Sequence, residues 1–110
     1  MARDILQELH NLLNQSPDDP FILFALAQEY GKRSQLDAAL SYYLQLITAF
    51  PDYTGTYYHL GKIYERLGQY DNAIKTYQKG MDITQKKGDQ HAYTELKAAL
   101  SSITSEDEFQ

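Results

Sequence analysis

The sequence has no cysteine, and its 10 basic residues are fewer than its 15 acidic ones. Without cysteine the chain can form no disulfide, no thiolate metal site and no cysteine nucleophile. A net charge of −5 argues against a nucleic-acid-binding protein, because such proteins draw much of their affinity from neutralising phosphates. The N-terminus lacks an uninterrupted apolar stretch, so we expect neither a secretory signal nor a membrane span. These absences predict a cytoplasmic protein, or a domain of a longer chain.

Residue groups that carry catalysis are missing as well. The three histidines, His10, His59 and His91, stand alone, without a partner three or four residues away, which predicts no zinc site. Phosphate-binding loops and dinucleotide fingerprints are absent. Apart from two short runs, the acidic residues are spread singly, so a catalytic pair of carboxylates is not indicated. The run at 18–19 suits a helix cap, and the run at 106–108 suits a solvated tail. We therefore predict that the protein is not an enzyme and binds no metal or cofactor.

What the sequence does contain is an internal repeat. The segment PFILFALAQEYGKRSQLDAALSYYLQLITAFPDY (20–53) aligns without a gap on TGTYYHLGKIYERLGQYDNAIKTYQKGMDITQKK (54–87). Identical residues recur at the pairs Leu26 and Leu60, Tyr30 and Tyr64, Gln35 and Gln69, Asp37 and Asp71, Ala39 and Ala73, and Tyr43 and Tyr77. A fixed period of this length predicts a stacked repeat architecture.

Each repeat divides into two amphipathic helices. In the first repeat, two apolar stripes at helical spacing are separated by a break near Ser34–Gln35. The stripes consist of Leu23, Leu26, Ala27 and Tyr30, and then of Leu36, Ala39, Leu40, Tyr43, Leu46 and Ile47. Asp19 and Pro20 are suited to begin the first helix, and Gly88 is suited to end the last helix of the second repeat. No segment is typical of a strand, so the sequence predicts an all-α protein.

Three glycines lie within the helical pattern of the second repeat, where a glycine costs about 0.5–1 kcal/mol relative to alanine. Gly68 falls at the turn between the paired helices, where a positive φ favours glycine. Gly61 and Gly80 fall on the inward stripe, where a missing side chain lets helices approach closely. We expect the rings of Tyr64 and Tyr77 to fill the space beside them.

These positions resemble the tetratricopeptide repeat, whose 34-residue signature combines large, small and aromatic residues in this order. The signature places hold Leu23, Leu26, Ala27, Tyr30, Ala39, Tyr43, Leu46 and Pro51, and then Tyr57, Leu60, Gly61, Tyr64, Ala73, Tyr77, Gly80 and Gln85. Three of these residues depart from the signature: Leu23 is smaller than the usual aromatic, Leu46 is larger than the usual small residue, and Gln85 is not proline. Gln85 replaces the usual proline, which predicts that the helix continues there. The related pentatricopeptide repeats read RNA through a basic surface and have a longer period, so the acidic charge speaks against them.

The resemblance implies a right-handed superhelix of about six helices in one domain, residues 1–110. Its expected parts are a leading helix (3–17), repeat 1 (20–53), repeat 2 (54–87), a capping helix (88–104) and a frayed tail (105–110). A cap is needed because a repeat array exposes apolar surface at its ends. The inner stripe of that cap is expected to consist of Ala92, Leu96, Ala99 and Ile103.

The resemblance also implies a function. The first helices of such repeats line a concave groove that binds a peptide or a partner helix, which makes the chain an adaptor or scaffold module. The groove positions implied here are Phe21, Phe24, Gln28, Lys32, Tyr58, His59, Lys62, Glu65 and Arg66. We expect a protein or peptide partner with apolar anchors and some acidic character, and neither nucleic acid nor membrane. An alternative is that Phe21 and Phe24 pack beneath the leading helix.

Two other functions stay open at the level of the sequence. The edges of a short array could build a homo-oligomer, with a weak homodimer as its simplest form, and the chain would then be a structural self-association module. The chain could also be a regulatory part of a longer protein whose activity lies elsewhere.

Overall fold

The part of the chain that the structure describes contains six α-helices joined by short turns and loops. This computed structural model describes the backbone of residues 4–108 and the side chains of residues 4–104. The helices are α1 (Ile5–Gln15), α2 (Pro20–Lys32), α3 (Leu36–Ala49), α4 (Gly55–Arg66), α5 (Tyr70–Lys87) and α6 (Gln90–Glu108). No strand occurs in residues 4–108, and the predicted all-α class with six helices is confirmed. Within this range no helix combines the length and the apolar character that crossing a membrane requires.

The helices form two compact units that divide between Tyr53 and Thr54. The first unit contains α1, α2 and α3, and the second contains α4, α5 and α6. Each unit has buried apolar residues of its own.

Aspartates begin two helices of the first unit. Oδ1 of Asp4 accepts from the backbone N–H of Leu6 at 3.1 Å, and Oδ1 of Asp19 accepts from that of Phe21 at 2.9 Å. Pro20 is the first residue of α2, where its missing N–H is not needed. The cap at Asp19 agrees with the sequence prediction, whereas Asp4 is an N-cap that the repeat pattern does not indicate.

The core of the first unit lies between α2 and α3. Its buried residues include the predicted positions Leu23, Leu26 and Ala27 on α2 and Ala39, Tyr43 and Leu46 on α3. The leading helix α1 packs on α2 but buries none of its own residues completely. Ile5 and Leu12 on α1 are 51% and 47% exposed. One apolar face of α1 is therefore open in this unit.

In the second unit, α5 packs against both α4 and α6. The buried residues include Tyr57 and Leu60 on α4, Ala73 and Tyr77 on α5, and Leu96 and Ala99 on α6. The last helix thus packs through Leu96 and Ala99, two of the four residues of the expected inner stripe, whereas Ala92 and Ile103 are half-buried. α5 continues through Gln85 to Lys87, and Gly88 ends it with a φ of 75°. A left-handed residue at this position, usually glycine, is a common helix stop.

The last helix ends later than the sequence pattern predicts. The expected cap stops at residue 104 and is followed by a frayed tail over 105–110, but α6 continues to Glu108. The helix therefore includes residues 105–108, which the sequence pattern assigns to the tail. Neither glycine nor proline follows Ile103, so no residue type there breaks the helix. The rest of the predicted tail, residues 109 and 110, lies outside the described residues.

Two buried glycines of the second unit allow close packing. A Cβ atom at Gly61 would overlap the ring of Tyr77, and a Cβ atom at Gly80 would lie 2.6 Å from the Cβ of Tyr57. The expected neighbour Tyr77 is confirmed for Gly61. The tyrosine beside Gly80 is Tyr57 rather than the expected Tyr64, because Tyr57 is the residue of α4 that packs against this turn of α5.

The turns between the paired helices use left-handed backbone in both repeats. Gly68 has a φ of 75°, and Ser34, at the same repeat position, has a φ of 60°. A residue with a Cβ adopts this conformation at a cost, because the Cβ comes close to the following carbonyl oxygen. The first repeat therefore contains a strained turn that glycine relieves in the second.

Candidate partner-binding site

The four groove positions predicted on α2 differ in exposure. Phe21, Gln28 and Lys32 are exposed, Phe21 by 69%. Phe24 is half-buried, with its ring centroid 6.0 Å from that of Tyr43 and 5.6 Å from that of Tyr53. Phe24 therefore takes part in the packing of the first unit. The alternative of packing beneath the leading helix is wrong for Phe21, and neither of these two rings beside Phe24 lies on α1.

The predicted positions on α4 form a connected network. Nζ of Lys62 lies 3.5 Å from Oε2 of Glu65 and 5.5 Å from the centroid of the Tyr58 ring. The hydroxyl of Tyr77, on α5, donates a hydrogen bond to the same oxygen of Glu65. The ammonium group of Lys62 is thus held between a carboxylate and an aromatic face, both of which attract a cation.

The raised pKa of Tyr77 decides which group donates and which accepts the hydrogen bond in this network. Burial raises the pKa of the Tyr77 hydroxyl, and its hydrogen bond to Glu65 raises the pKa further. Tyr77 therefore keeps its proton and acts towards Glu65 only as a donor. Hydrogen bonds to charged groups are stronger than neutral ones, so this bond holds the carboxylate in place. The fixed carboxylate in turn orients Lys62, whose side chain is 38% exposed.

Of the two repeats, only the second carries this network. The corresponding residues of the first repeat are Phe24, Gln28, Gly31 and Tyr43, which include neither a cation nor a carboxylate. Gly61 contributes as well, because its missing side chain lets the Tyr77 ring approach α4. The first repeat has Ala27 at that position.

A pocket of about 300 Å³ adjoins the network between α4 and α6. It is lined by Tyr58 and Lys62 on α4 and by Glu95, Ala98, Ala99 and Ser102 on α6. The α4 residues are among the predicted groove positions, but the α6 residues are not, because the repeat pattern assigns the last helix a packing role only. The sequence does carry a signal for this pocket. Ala98 and Ser102 are small residues four positions apart, so they lie on the same face of α6, and the structure shows both exposed.

His59 and Arg66 complete the predicted set on α4. The ring of His59 is half-buried and lies 5.4 Å from the ring of Tyr58 in an edge-to-face arrangement. Burial lowers the pKa of His59, and the negative charge of Glu95 partly opposes this effect. His59 is therefore mainly neutral at pH 7 and adds little positive charge to the site. Arg66 is exposed at the end of α4.

The three histidines lie on three different helices. His10 Nε2 is 2.8 Å from the hydroxyl of Tyr30, and His91 Nε2 is 3.4 Å from Oε2 of Glu95. The expectation that no histidine has a partner four residues away is wrong for His91, because Glu95 follows it by one turn on the same face. Within residues 4–104, no group of three or more histidine, aspartate or glutamate side chains is placed to hold a metal ion.

Comparison with known proteins gives a family match and structural matches. Residues 19–104 match the family described as "Regulator of microtubule dynamics protein 1-3". A tetratricopeptide repeat domain protein from Salinibacter ruber is 45% identical, with a TM-score of 0.73, over 76% of this chain and 93% of that chain. A protein from Bordetella parapertussis is 28% identical, with a TM-score of 0.85, over 99% of this chain and 95% of that chain.

A further solved structure shares the fold alone. The protein MamA is 24% identical, with a TM-score of 0.73, over 94% of this chain and 55% of MamA. No curated protein matches the sequence. The helix order described above thus has solved counterparts over nearly its whole length.

Proposed function

We infer that this chain, which belongs to the tetratricopeptide repeat proteins and to the family of regulator of microtubule dynamics proteins 1-3, is a non-catalytic module that binds other proteins. Tetratricopeptide repeats generally act as interaction modules, so family membership supports this class of function. The observation that carries the proposal is the oriented Lys62 beside the open pocket between α4 and α6.

The pocket and the cation suit two different parts of a partner. A volume of about 300 Å³ is at the lower end of the range for ligand sites, so the pocket takes one anchoring side chain rather than a whole segment. Ala98 and Ala99 offer that side chain an apolar wall. Lys62 offers a carboxylate or a backbone carbonyl a donor whose position is already fixed. Fixing a long side chain beforehand lowers the entropy lost on binding.

The proposed partner is therefore a peptide or helix with an apolar anchor and an acidic group next to it. Glu95 on α6 lines the same pocket, and its negative charge repels an acidic group of the partner. That group is therefore favoured beside Lys62 and disfavoured near Glu95. Phe21 is an additional exposed aromatic on the first unit that is available as an interface residue.

Peptide selection against the folded chain tests this site. A library of short random peptides is selected on the wild-type chain, and the affinities of the enriched peptides are measured by fluorescence anisotropy. Ala98→Leu fills the pocket from an exposed position, and Lys62→Glu reverses the cation. We expect each variant to weaken binding roughly tenfold, and the effect of Lys62→Glu to shrink at high salt, where charges are screened.

A matched control separates the site from general charge effects. Lys75→Glu makes the same charge reversal at an exposed position of α5 that does not line the pocket. Binding to this variant should stay close to that of the wild type. Selected peptides that bind Ala98→Leu and Lys62→Glu as tightly as the wild type would rule out the pocket between α4 and α6.

Self-association is a second candidate function, which the open face of α1 favours. Ile5 and Leu12 lie one repeat period before Ala39 and Leu46, which are 0% exposed in the helix pair of α2 and α3. In the first unit α1 lacks a helix that covers its corresponding positions, and a second copy of the chain would supply one.

Sedimentation velocity over a range of concentrations tests this second candidate. We expect a concentration-dependent dimer in the wild type and its loss in the double variant Ile5→Ser, Leu12→Ser. Phe21→Ser is the control, because it removes an exposed apolar side chain from α2 instead. A wild-type chain that stays monomeric at every concentration would exclude self-association and leave the pocket proposal unaffected.

A further inference from the structure

A second and larger groove lies on the first unit, along a face of α3. Its volume is about 740 Å³. The α3 residues that line it follow one helical stripe and are Asp37, Leu40, Ser41, Leu44, Gln45, Thr48 and Ala49. The rest of the lining consists of Leu23 on α2 and of Pro17, Asp18 and Phe50, which lie outside the helices. This stripe is distinct from the face of α3 that buries Ala39 and Leu46.

The same face of the second repeat has a different chemistry. Ser41, Leu44, Gln45 and Thr48 correspond to Lys75, Gln78, Lys79 and Asp82 on α5, all of which are exposed. Charged and amide side chains are ordinary for a solvated helix face. On α3 this face instead keeps Leu44 37% exposed and has no charged residue after Asp37. The two repeats share their core pattern, so this difference lies on the surface and not in the packing of the fold.

The charges that line the groove are all negative. Asp37 lies in the first turn of α3, and Asp18 lies in the loop before α2. The start of α2 is next to the end of α3, since Pro20, Ala49 and Phe50 line a common pocket. The two carboxylates therefore lie towards opposite ends of the groove. From residue 37 to residue 48 the helix rises about 16 Å, which sets the approximate length of the groove.

We propose that this groove binds an amphipathic helix of a partner protein that carries basic residues at both ends of an apolar stripe. Helices cover the apolar helix faces in the core of this unit, so a helix is the shape that the α3 face is suited to receive. Eleven residues of a helix span about 16 Å and return to the same face. A stripe of Lys or Arg at i and i+11 with apolar residues at i+4 and i+7 thus complements Asp37, Leu40, Leu44 and Asp18. This surface differs from the pocket between α4 and α6, and the proposal does not depend on that pocket.

Designed peptides test the charge and the geometry together. The probe is a short alanine- and glutamine-based helical peptide with leucines at positions 6 and 9 and lysines at positions 2 and 13. A second peptide has glutamates in place of the lysines. A third keeps the lysines but moves them to the opposite helix face. We expect the first peptide to bind about tenfold more tightly than the second and clearly more tightly than the third, with the preference shrinking at high salt.

Two variants of the chain locate the binding. Ser41→Lys with Leu44→Gln places the residues of the second repeat on the first, at exposed positions where they suit the fold. It should weaken binding of the first peptide at least tenfold, and Asp37→Asn should weaken it about threefold. Tyr58→Ala, in the other pocket, should bind the peptide unchanged. In amide NMR spectra, the peptide should shift the signals of Leu40, Leu44 and Thr48.

Several results would overturn the proposal. One is saturable binding of the first peptide that shifts the amide NMR signals of α4 and α6 instead of those of α3. Another is equal affinity for the lysine and glutamate peptides. A third is the absence of binding at millimolar peptide concentration. A wild-type dimer that is lost in Ser41→Lys with Leu44→Gln would show that a second copy occupies the groove, which also contradicts the proposed partner. Each of these results is distinguishable from failure of the pocket proposal, which depends on Ala98 and Lys62.

Discussion

The ring of Tyr77 occupies the space that a side chain at residue 61 would need. This relationship explains why the second repeat has glycine where the first has Ala27. It also bears on the candidate site, because the close approach of Tyr77 to α4 brings its hydroxyl to Glu65. A packing feature of the core thus supports the half-buried network around Lys62.

Gly61→Leu should destabilise the protein by about 1–3 kcal/mol, because overpacking a filled core displaces side chains and backbone. The smaller change Gly61→Ala should act in the same direction, since even a Cβ atom overlaps Tyr77. Urea denaturation followed by circular dichroism measures both effects. Gln78→Leu, at an exposed position of α5, is the control and should change the free energy of unfolding by less than about 0.5 kcal/mol. Equal stability of Gly61→Leu and the wild type would contradict the close-packing explanation.

Ser34→Gly should stabilise the protein by about 0.5–1 kcal/mol, because a left-handed residue with a Cβ costs roughly 1–2 kcal/mol. Ser34 has a φ of 60°, which lies in this left-handed region. The larger entropy of glycine in the unfolded chain offsets part of the gain. The reciprocal change Gly68→Ser, at a φ of 75°, should destabilise the protein. Denaturation midpoints of the two variants measured side by side provide the test, and shifts of the same sign would contradict it.

The fold could be predicted from the sequence because its determinants repeat. Positions such as Leu26 and Leu60 are buried in both repeats, so each occurrence supports the other. The helix caps at Asp19 and Gly88 depend on local backbone chemistry, which residue type reveals directly. Leu96 of the capping helix packs beside Gly80. The repeat pattern does not predict this contact, because the capping helix has no counterpart in the repeat.

The candidate site was predictable only in part, for a related reason. The groove positions on α4 follow from the family pattern, and the structure places Tyr58, Lys62 and Glu65 together. The same pattern gives Phe24 an equivalent role, but its ring packs on Tyr43 and so belongs partly to the core. Repeat position identifies which helix face a residue occupies, whereas the exposure of that residue depends on the neighbouring side chains.

The stability of the protein should fall above about pH 10 because of two buried tyrosines. Burial raises the pKa of Tyr43 and of Tyr77 above the ordinary value of 10.0. Below this pH both hydroxyls are protonated in the folded and unfolded states, so they contribute no pH dependence. Above it the unfolded chain loses these protons while the folded chain keeps them, which favours unfolding by up to about 1.4 kcal/mol per pH unit for each tyrosine.

Denaturation at several pH values between 8 and 11.5, with single Tyr→Phe variants, measures this effect. Tyr43→Phe and Tyr77→Phe should each make the decline above about pH 10 less steep. Tyr70→Phe is the matched control, because Tyr70 is 53% exposed, and its slope should equal that of the wild type. Identical slopes for all variants would show that the two buried hydroxyls are not the cause.

Leu96→Ala should destabilise the protein by about 2–5 kcal/mol, the range for removing a buried leucine. Leu96 is 1% exposed on α6, and its Cδ1 lies next to the space beside Gly80. Leu44→Ala makes the same substitution on a leucine that is 37% exposed and should cost much less. Urea denaturation compares the two variants, and an equal loss of stability in both would contradict the packing role of Leu96.

Deleting residues 90–110 should make the chain form oligomers or aggregates. The deletion removes Leu96 and Ala99 together, which are 1% and 5% exposed, and so uncovers the apolar face of α5 on which α6 packs. An uncovered apolar face at the end of a repeat array favours association with other chains, because burial of that face is favourable. Light scattering after size-exclusion chromatography follows the association. A truncated chain that is monomeric and as stable as the full one would show that α6 does not act as a cap.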